Sequence, residues 1–186
     1  MPFDHFDFLA PVFSRVSYSS LGTMLEQAAL PIIGRVLDAG GGTGRVSSAI
    51  REHAGEVIVA DPSLGMLRQA DRSHLKLACS NSESLPFPDE AFERVIMVDA
   101  LHHVIEQEQT AREMYRVLKL GGRIVIEEPD IRKFGVKLIA VAEKLLLMRS
   151  HFLSPQKIVD LFSFDLAKAN IHATEGNVWI VIEKSG

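Results

Sequence analysis

The chain has 186 residues, 47% of them hydrophobic and 24% charged, which is enough for one domain with its own core and too apolar for a mainly disordered chain. Its formal net charge of −4, from 20 basic and 24 acidic residues, argues against a general nucleic-acid binder. The single cysteine, Cys79, excludes an internal disulfide framework and any multi-cysteine zinc or iron–sulfur centre, so no metal site is expected.

The first 30 residues read as a helical or irregular cap, and their opening, MPFDHFDFLA, lacks the basic start of a secretory signal. A short apolar strand, Arg35 to Asp38, runs into a glycine-rich stretch, and Thr43 to Ala54 follows with Val46, Ala49 and Ile50 at helical spacing. Glu56 to Ala60 is a second strand and Ser63 to Arg72 a second helix. Leu75 to Cys79 and Arg94 to Val98 read as the third and fourth strands. Gln107 to Leu118 has Ala111, Met114, Tyr115 and Leu118 on one helical face; Gly121-Gly122 stops it, and Arg123 to Glu127 is a fifth strand. These strands are continuous apolar runs, not alternations, which marks a parallel sheet covered on both faces.

The last third changes character. Ile131 to His151 is a long, basic, apolar helix candidate, interrupted by Lys137, Glu143 and Lys144 and so too short in apolar length to span a membrane. A cytoplasmic location is the expectation. Ser154-Pro155 is a helix start, with serine as cap and proline at the first helical position. Asn177 to Lys184 is strongly β-prone and Ile171 to Thr174 a shorter strand, which suggests an antiparallel edge closing the sheet. Cys79 and Trp179 read as packing residues in buried strands.

Chemistry concentrates at Asp38-Ala39-Gly40-Gly41-Gly42-Thr43-Gly44, between the first strand and its helix. A triphosphate loop requires a lysine that is missing, and the dinucleotide spacing G-x-G-x-x-G fails because its third glycine position falls on Ser47. The pattern present is D-x-G-x-G-x-G. A carboxylate at Asp38 suits a cationic amino-acid head group better than a pyrophosphate. Asp61 ends the second strand, where an acid can accept hydrogen bonds from both hydroxyls of a ribose; the plainer alternative is a turn cap ahead of Pro62.

The segments VLDAGGGTG, VADPS, SESLPFPDEAFERVIMVDALHHV and EMYRVLKLGGRIVIEEPD, in this order from Arg35 to Asp130, resemble the class I S-adenosylmethionine-dependent methyltransferases. Within them the chain is similar to the small-molecule branch that includes the ubiquinone/menaquinone methyltransferases. The resemblance implies a Rossmann-like α/β fold with a mostly parallel seven-stranded sheet and an antiparallel C-terminal edge. The organisation of the chain reads as one domain over 1–186: a cap at 1–30, a cofactor-binding core at 31–130, a lid-like helical segment at 131–153, and a C-terminal helix and strands at 154–186.

By the same resemblance, S-adenosylmethionine is the cofactor, and Gly40, Gly42 and Gly44 cradle its amino-acid portion with Asp38, Ala39, Gly41 and Arg45 alongside. Asp61 takes the ribose, next to Pro62 and Met66. Asn81 stands where the family usually has an aspartate that accepts the adenine amino group, followed by Ser82 and Glu83, and Asp99 and Ala100 complete the cofactor side. Phe13 falls where a tyrosine often lies near the methionine carboxylate; Tyr18, or the backbone with Arg45, can substitute.

His102-His103 follow the fourth strand, at the sheet edge where open α/β proteins bind ligands. They are candidates for a general base or a cofactor-edge contact, or serve only to hold the next helix. Where a nucleic-acid or glutamine methylator would carry N-P-P-[YF], this chain has Val98-Asp99-Ala100-Leu101, so nucleic acid is not the expected partner. The expected acceptor is a small, apolar or aromatic molecule. The segment 131–152, with Arg132, Lys133, Lys137, Lys144 and Arg149, is a candidate lid, dimer surface or peripheral membrane contact.

Overall fold

A computed structural model describes residues 18–133, 136–137, 150–174 and 176–186. In chain order these form α1 (Leu21–Gln27), β1 (Arg35–Ala39), α2 (Arg45–Ile50), β2 (Glu56–Asp61), α3 (Leu64–Leu67), β3 (Lys76–Cys79), β4 (Phe92–Val98), α4 (Gln107–Val117), β5 (Leu118–Pro129), α5 (Pro155–Asp160), β6 (Ala167–Ala173) and β7 (Asn177–Lys184). Short 3₁₀ turns at Arg51–His53 and Leu101–His103 follow α2 and β4.

The strands form one seven-stranded sheet in the order β3-β2-β1-β4-β5-β7-β6. β1 to β5 pair in parallel, and β7 inserts antiparallel beside β5, with β6 antiparallel on its outside. This is the mostly parallel sheet with an antiparallel C-terminal edge that the sequence implied. Because the order reverses between β1 and β4, a crevice opens at their carboxyl ends, where the loops after β1 and β4 diverge to opposite sides.

Continuous apolar strands bury both faces, as β1 shows. Val36 packs with Val57, Val59, Ile96, Val125 and Trp179 under α1 and α2. Its neighbour Leu37 joins Ile58, Val95, Met97, Ile124 and Ile180 against α4 and α5. Trp179 is buried, as expected.

Several elements depart from the sequence reading. The helix expected over 43–54 begins only at Arg45, because Gly44 takes the left-handed conformation (φ +72°) as its N-terminal flank. The helix expected over 63–72 is a single turn, capped by the Ser63 hydroxyl accepting from the Met66 amide at 3.0 Å. Gly121-Gly122 does not end α4. That helix stops at Val117, and the glycine pair lies inside β5, near the register shift between Phe92 and Arg94 on β4. β6 is longer than the 171–174 expected, since every residue of Ala167–Ala173 is paired to β7. Cys79 is exposed and not a packing residue, because β3 is an edge strand. Phe13 and most of the 131–152 segment lie outside the described residues.

Candidate functional site

At the carboxyl ends of β1, β2 and β4 lies a cavity of about 550 Å³. The glycine loop forms one wall. Gly40 has φ +71°, and a Cβ there would come within 2.8 Å of the Ala100 Cβ, so the loop closes directly on the turn after β4. The amides of Gly40 and Gly41 donate to the Ala60 carbonyl, that of Gly42 to Asp61 Oδ2 at 2.9 Å, and that of Gly44 to the Gly41 carbonyl. All four donors are engaged within the protein. A phosphate-binding loop works by aiming such amides at its ligand, so these four are not available to a phosphate.

The charges around it agree. Asp38 is buried (1% exposed), and burial pushes its carboxyl up to about 6, with Ser47 and Arg45 pulling the other way. Oδ2 accepts from the Ser47 hydroxyl at 2.7 Å, while Oδ1 has no hydrogen-bond partner among the described residues. A buried carboxylate oxygen in this condition costs free energy until a donor reaches it. Asp61 accepts from the amides of Gly42 and Ser63 (2.9 and 2.8 Å), bracing the loop, and it lines the cavity. The cavity wall therefore presents two nearly buried aspartates, with Asp99 joining them opposite.

Asp99 sits just past β4 in the left-handed region (φ +51°). Its carboxyl is raised to about 6 by desolvation and by the nearby acids Glu127 and Glu128. It pairs with Arg45 at 3.3 Å, and the Arg45 guanidinium lies over the Tyr18 ring, 5.4 Å from its centroid. Tyr18 in turn donates its hydroxyl to Glu127 Oε2 at 2.6 Å, and burial with this contact drives its phenol well above the usual range. Both substitutes considered for the missing tyrosine thus belong to one network, Glu127–Tyr18–Arg45–Asp99, at the loop end of the cavity.

The opposite end is apolar and aromatic: Val104, Ile105, Phe152 and the two histidines. His102 stacks on Phe152 (ring centroids 4.3 Å apart, planes at 12°) and tilts against His103 at 4.0 Å. Burial, reinforced by His102, lowers His103 to about 3, so its ring is neutral over the whole physiological range. The Ser150 hydroxyl is 3.3 Å from His103 Nδ1. The Gln107 side-chain amide donates to both the Leu101 and His151 carbonyls at 2.9 Å, pinning the returning chain, and so Phe152, over the turn after β4.

Of the candidates named from the sequence, the cavity wall gathers Asp38, Gly40, Gly41, Gly42, Arg45, Asp61, Pro62 and Met66 with Asn81, Ser82, Glu83, Asp99, Ala100, His102 and His103. Ala39 and Gly44 do not line it. Ala39 is fully buried in the sheet, and Gly44 backs onto Leu75 and Ala70 behind the loop. Sequence reasoning missed Phe152, Ser150 and the carboxylate pair Glu127-Glu128. The signal for the pair was its burial-prone place at the end of an apolar strand, where an acid needs a partner.

Residues 37–126 match the family described as a methyltransferase domain. Among curated proteins, the chain is 38% identical over 105 residues to the ubiquinone/menaquinone biosynthesis C-methyltransferase UbiE of Stenotrophomonas maltophilia, covering 50% of this chain and 42% of that one. It is 35% identical over 137 residues to the demethylmenaquinone methyltransferase of Clavibacter sepedonicus, covering 67% and 56%. Over this stretch the chain is similar to S-adenosylmethionine-dependent methyltransferases. A solved S-adenosylmethionine-dependent methyltransferase from Thermotoga maritima shares the domain's fold, with TM-score 0.78 at 22% identity over 97% of this chain and 98% of that one. The matched stretch spans about half the length of the curated relatives.

The residues at this cavity fit the family's cofactor. S-adenosylmethionine carries an ammonium, a sulfonium and one carboxylate and no phosphate, and the loop end of the cavity supplies carboxylates with Arg45 beside them. The unpartnered Asp38 Oδ1 is the clearest mark of fit. Among the described residues no group of three or more histidine, cysteine or acidic side chains could hold a metal, and no helix is long and apolar enough to cross a membrane.

Proposed function

We propose that this chain transfers a methyl group from S-adenosylmethionine to a small apolar or aromatic acceptor. The observation that carries the reading is a single cavity with chemically opposite ends: acids and engaged amides at the glycine loop, and Val104, Ile105, Phe152 and the histidines at the other. The names of the relatives, a quinone-biosynthesis C-methyltransferase and a demethylmenaquinone methyltransferase, favour an electron-rich ring of the quinol kind as acceptor.

The cofactor supplies an electrophilic methyl group on a positively charged sulfur. The residues of the chain bind, orient and exclude water. Asp38 and its neighbours hold the cationic amino-acid end, Asp61 clasps the sugar, and Asn81 accepts from the base with a neutral acceptor in place of a charged one. Phe152 and Ile105 form the apolar wall beside which the acceptor lies. In-line displacement needs little besides such alignment, and holding two reactants in register is worth effective molarities of about 10⁵–10⁸ M.

Two measurements test this. Calorimetric titration should show binding of S-adenosylmethionine and S-adenosylhomocysteine and none of NAD. Asp61→Ala should weaken that binding by about 2–3 kcal/mol, roughly 30- to 150-fold, through lost sugar contacts and a slackened loop. A screen with labelled cofactor against hydroquinones, phenols, thiols and amines should then give methylated product. Tight cofactor binding with no product in any class would leave a binding module and overturn the transferase reading.

A further inference from the structure

Gln107 opens α4 and lies outside the cofactor cavity, in a second hollow that it lines with Leu153 and Lys157. Ile105 lines both spaces, so the two adjoin. The Gln107 side-chain nitrogen is 2.9 Å from each of two carbonyl oxygens, that of Leu101 in the turn after β4 and that of His151 in the returning chain. A carbonyl oxygen only accepts, so the NH₂ end of the amide faces both, and its two hydrogens serve the two bonds. A third bond runs alongside them: the His151 amide donates to the His102 carbonyl at 2.6 Å.

These bonds fix the residue that comes next. Phe152 lines the apolar end of the cavity and stacks on the His102 ring. Residues 150–154 have no regular secondary structure of their own, and His151 is 44 positions from Gln107 along the chain. The turn to which they are tied also carries Ala100, the residue on which the glycine loop closes. One short turn therefore meets the cofactor loop on one side and carries the apolar wall on the other.

We infer that Gln107 is a positioning residue for the methyl acceptor: by donating to both carbonyls it holds Phe152 as the wall that seats the acceptor's ring beside the cofactor. This rests on the transferase reading above. Gln107 touches neither reactant and acts through Phe152. In-line transfer depends on that register, since a misplacement of about 1 Å can cost about 10²-fold in rate.

Two substitutions separate this role from a general one in α4. Gln107 is the first residue of the helix, where the dipole favours an acid and disfavours a base. Helix stability thus ranks isosteric Gln107→Glu at or above the wild type and Gln107→Lys last. The clamp gives a different order, because a carboxylate can donate to neither carbonyl and an ammonium can donate to both.

Amide hydrogen exchange over residues 150–153 should be faster in Gln107→Glu than in the wild type, with Gln107→Lys close to the wild type. The acceptor probe is 1,4-naphthalenediol, kept reduced with ascorbate and titrated calorimetrically in the presence of S-adenosylhomocysteine. Its dissociation constant should rise about two- to tenfold in Gln107→Glu, the worth of one aromatic contact, and recover in Gln107→Lys. Affinity for S-adenosylhomocysteine should stay within about twofold in both variants. Phe152→Ala removes the wall itself and should lose the same affinity for the diol.

Equal exchange in the wild type and Gln107→Glu overturns the proposal, as does diol affinity that follows helix stability. A wild type that does not bind the diol overturns it too. Unchanged diol binding in Phe152→Ala refutes it even if the Gln107 variants fail to fold. Diol binding without methyl transfer to any acceptor would instead sink the transferase reading and leave the wall in place.

Discussion

At the residue scale, Asp38 is a carboxyl that the fold holds in an unfavourable, desolvated state. Its carboxyl titrates near 6 in the folded chain against 3.8 when unperturbed. The folded state therefore binds this proton more tightly than the unfolded one. Stability conferred at low pH is lost as pH rises from about 4 to about 6, on the order of 3 kcal/mol in the limit, since one unit is about 1.4 kcal/mol. Asp38→Asn should raise stability at pH 7 by about 1 kcal/mol, and by less at pH 4.5, while weakening cofactor binding. Denaturant titrations at the two pH values check the sign. A ligand ammonium placed against Oδ1 pulls the carboxyl back down, so binding near pH 6 should release a proton and binding at pH 8 should not, which calorimetry in buffers of different ionisation enthalpy will read.

The site was largely legible one residue at a time, where spacing carries chemistry. Asp38, Gly40, Gly42 and Asp61 stand at intervals that only a strand, a tight turn and a second strand can bring together, and they do line one cavity. Tyr18, Glu128 and Phe152 were not legible as a group. Tyr18 lies 109 residues from its partner Glu127 and Glu128 lies 26 from its partner His102 along the chain, and no local pattern marks such partners.

At the element scale, the loop from Asn81 to Asp89 brings Asn81, Ser82 and Glu83 to the cavity, yet it has no regular secondary structure of its own. Helix α4 holds it. Arg116 donates to the carbonyls of Leu85 (3.1 Å) and Phe87 (2.8 Å) and to Asp89, and Glu113 accepts from the Leu85 amide at 2.8 Å while pairing with Arg116. These contacts replace the backbone pairing that the loop lacks. Arg116→Ala should cost about 1–2 kcal/mol, less than a fully buried ion network because the side chain is partly solvated. It should also raise the dissociation constant of S-adenosylmethionine, since the loop that carries Asn81 loses its anchor. Thermal denaturation with and without cofactor separates the two effects. Helix α4 itself followed from apolar spacing, and its buried residues include Ala111 and Met114 as that spacing implied. The helices expected after β1 and β2 came out short because glycine and proline chemistry at their starts, and turn-forming Asp71 and Ser73 beyond α3, compete with helix continuation.

Across the whole molecule, β7 closes the structure by inserting between β5 and β6. Trp179 sits on it in register with Glu127 and His172, within the core cluster shared with Val36, Val57 and Ile96. The last strand of the chain therefore supports the strand end that carries Glu127 and Glu128. Trp179→Ala should cost about 3–5 kcal/mol, as for other large-to-small core substitutions, and should lower cofactor affinity in whatever fraction remains folded. Intrinsic fluorescence cannot follow this variant, because Trp179 is the only tryptophan, so far-ultraviolet circular dichroism is the measurement.

The order of strands and helices, the glycine loop and the acid at position 61 were determined by sequence alone, since hydrophobic period and backbone chirality are local properties that survive without knowing what packs on what. Tertiary structure decided the rest. It made Cys79 an exposed edge residue, set Gly121-Gly122 inside a strand, extended β6 along β7 and joined Glu128 to His102. In each case the deciding quantity was burial or pairing against a distant segment, which acts only once the sheet has assembled.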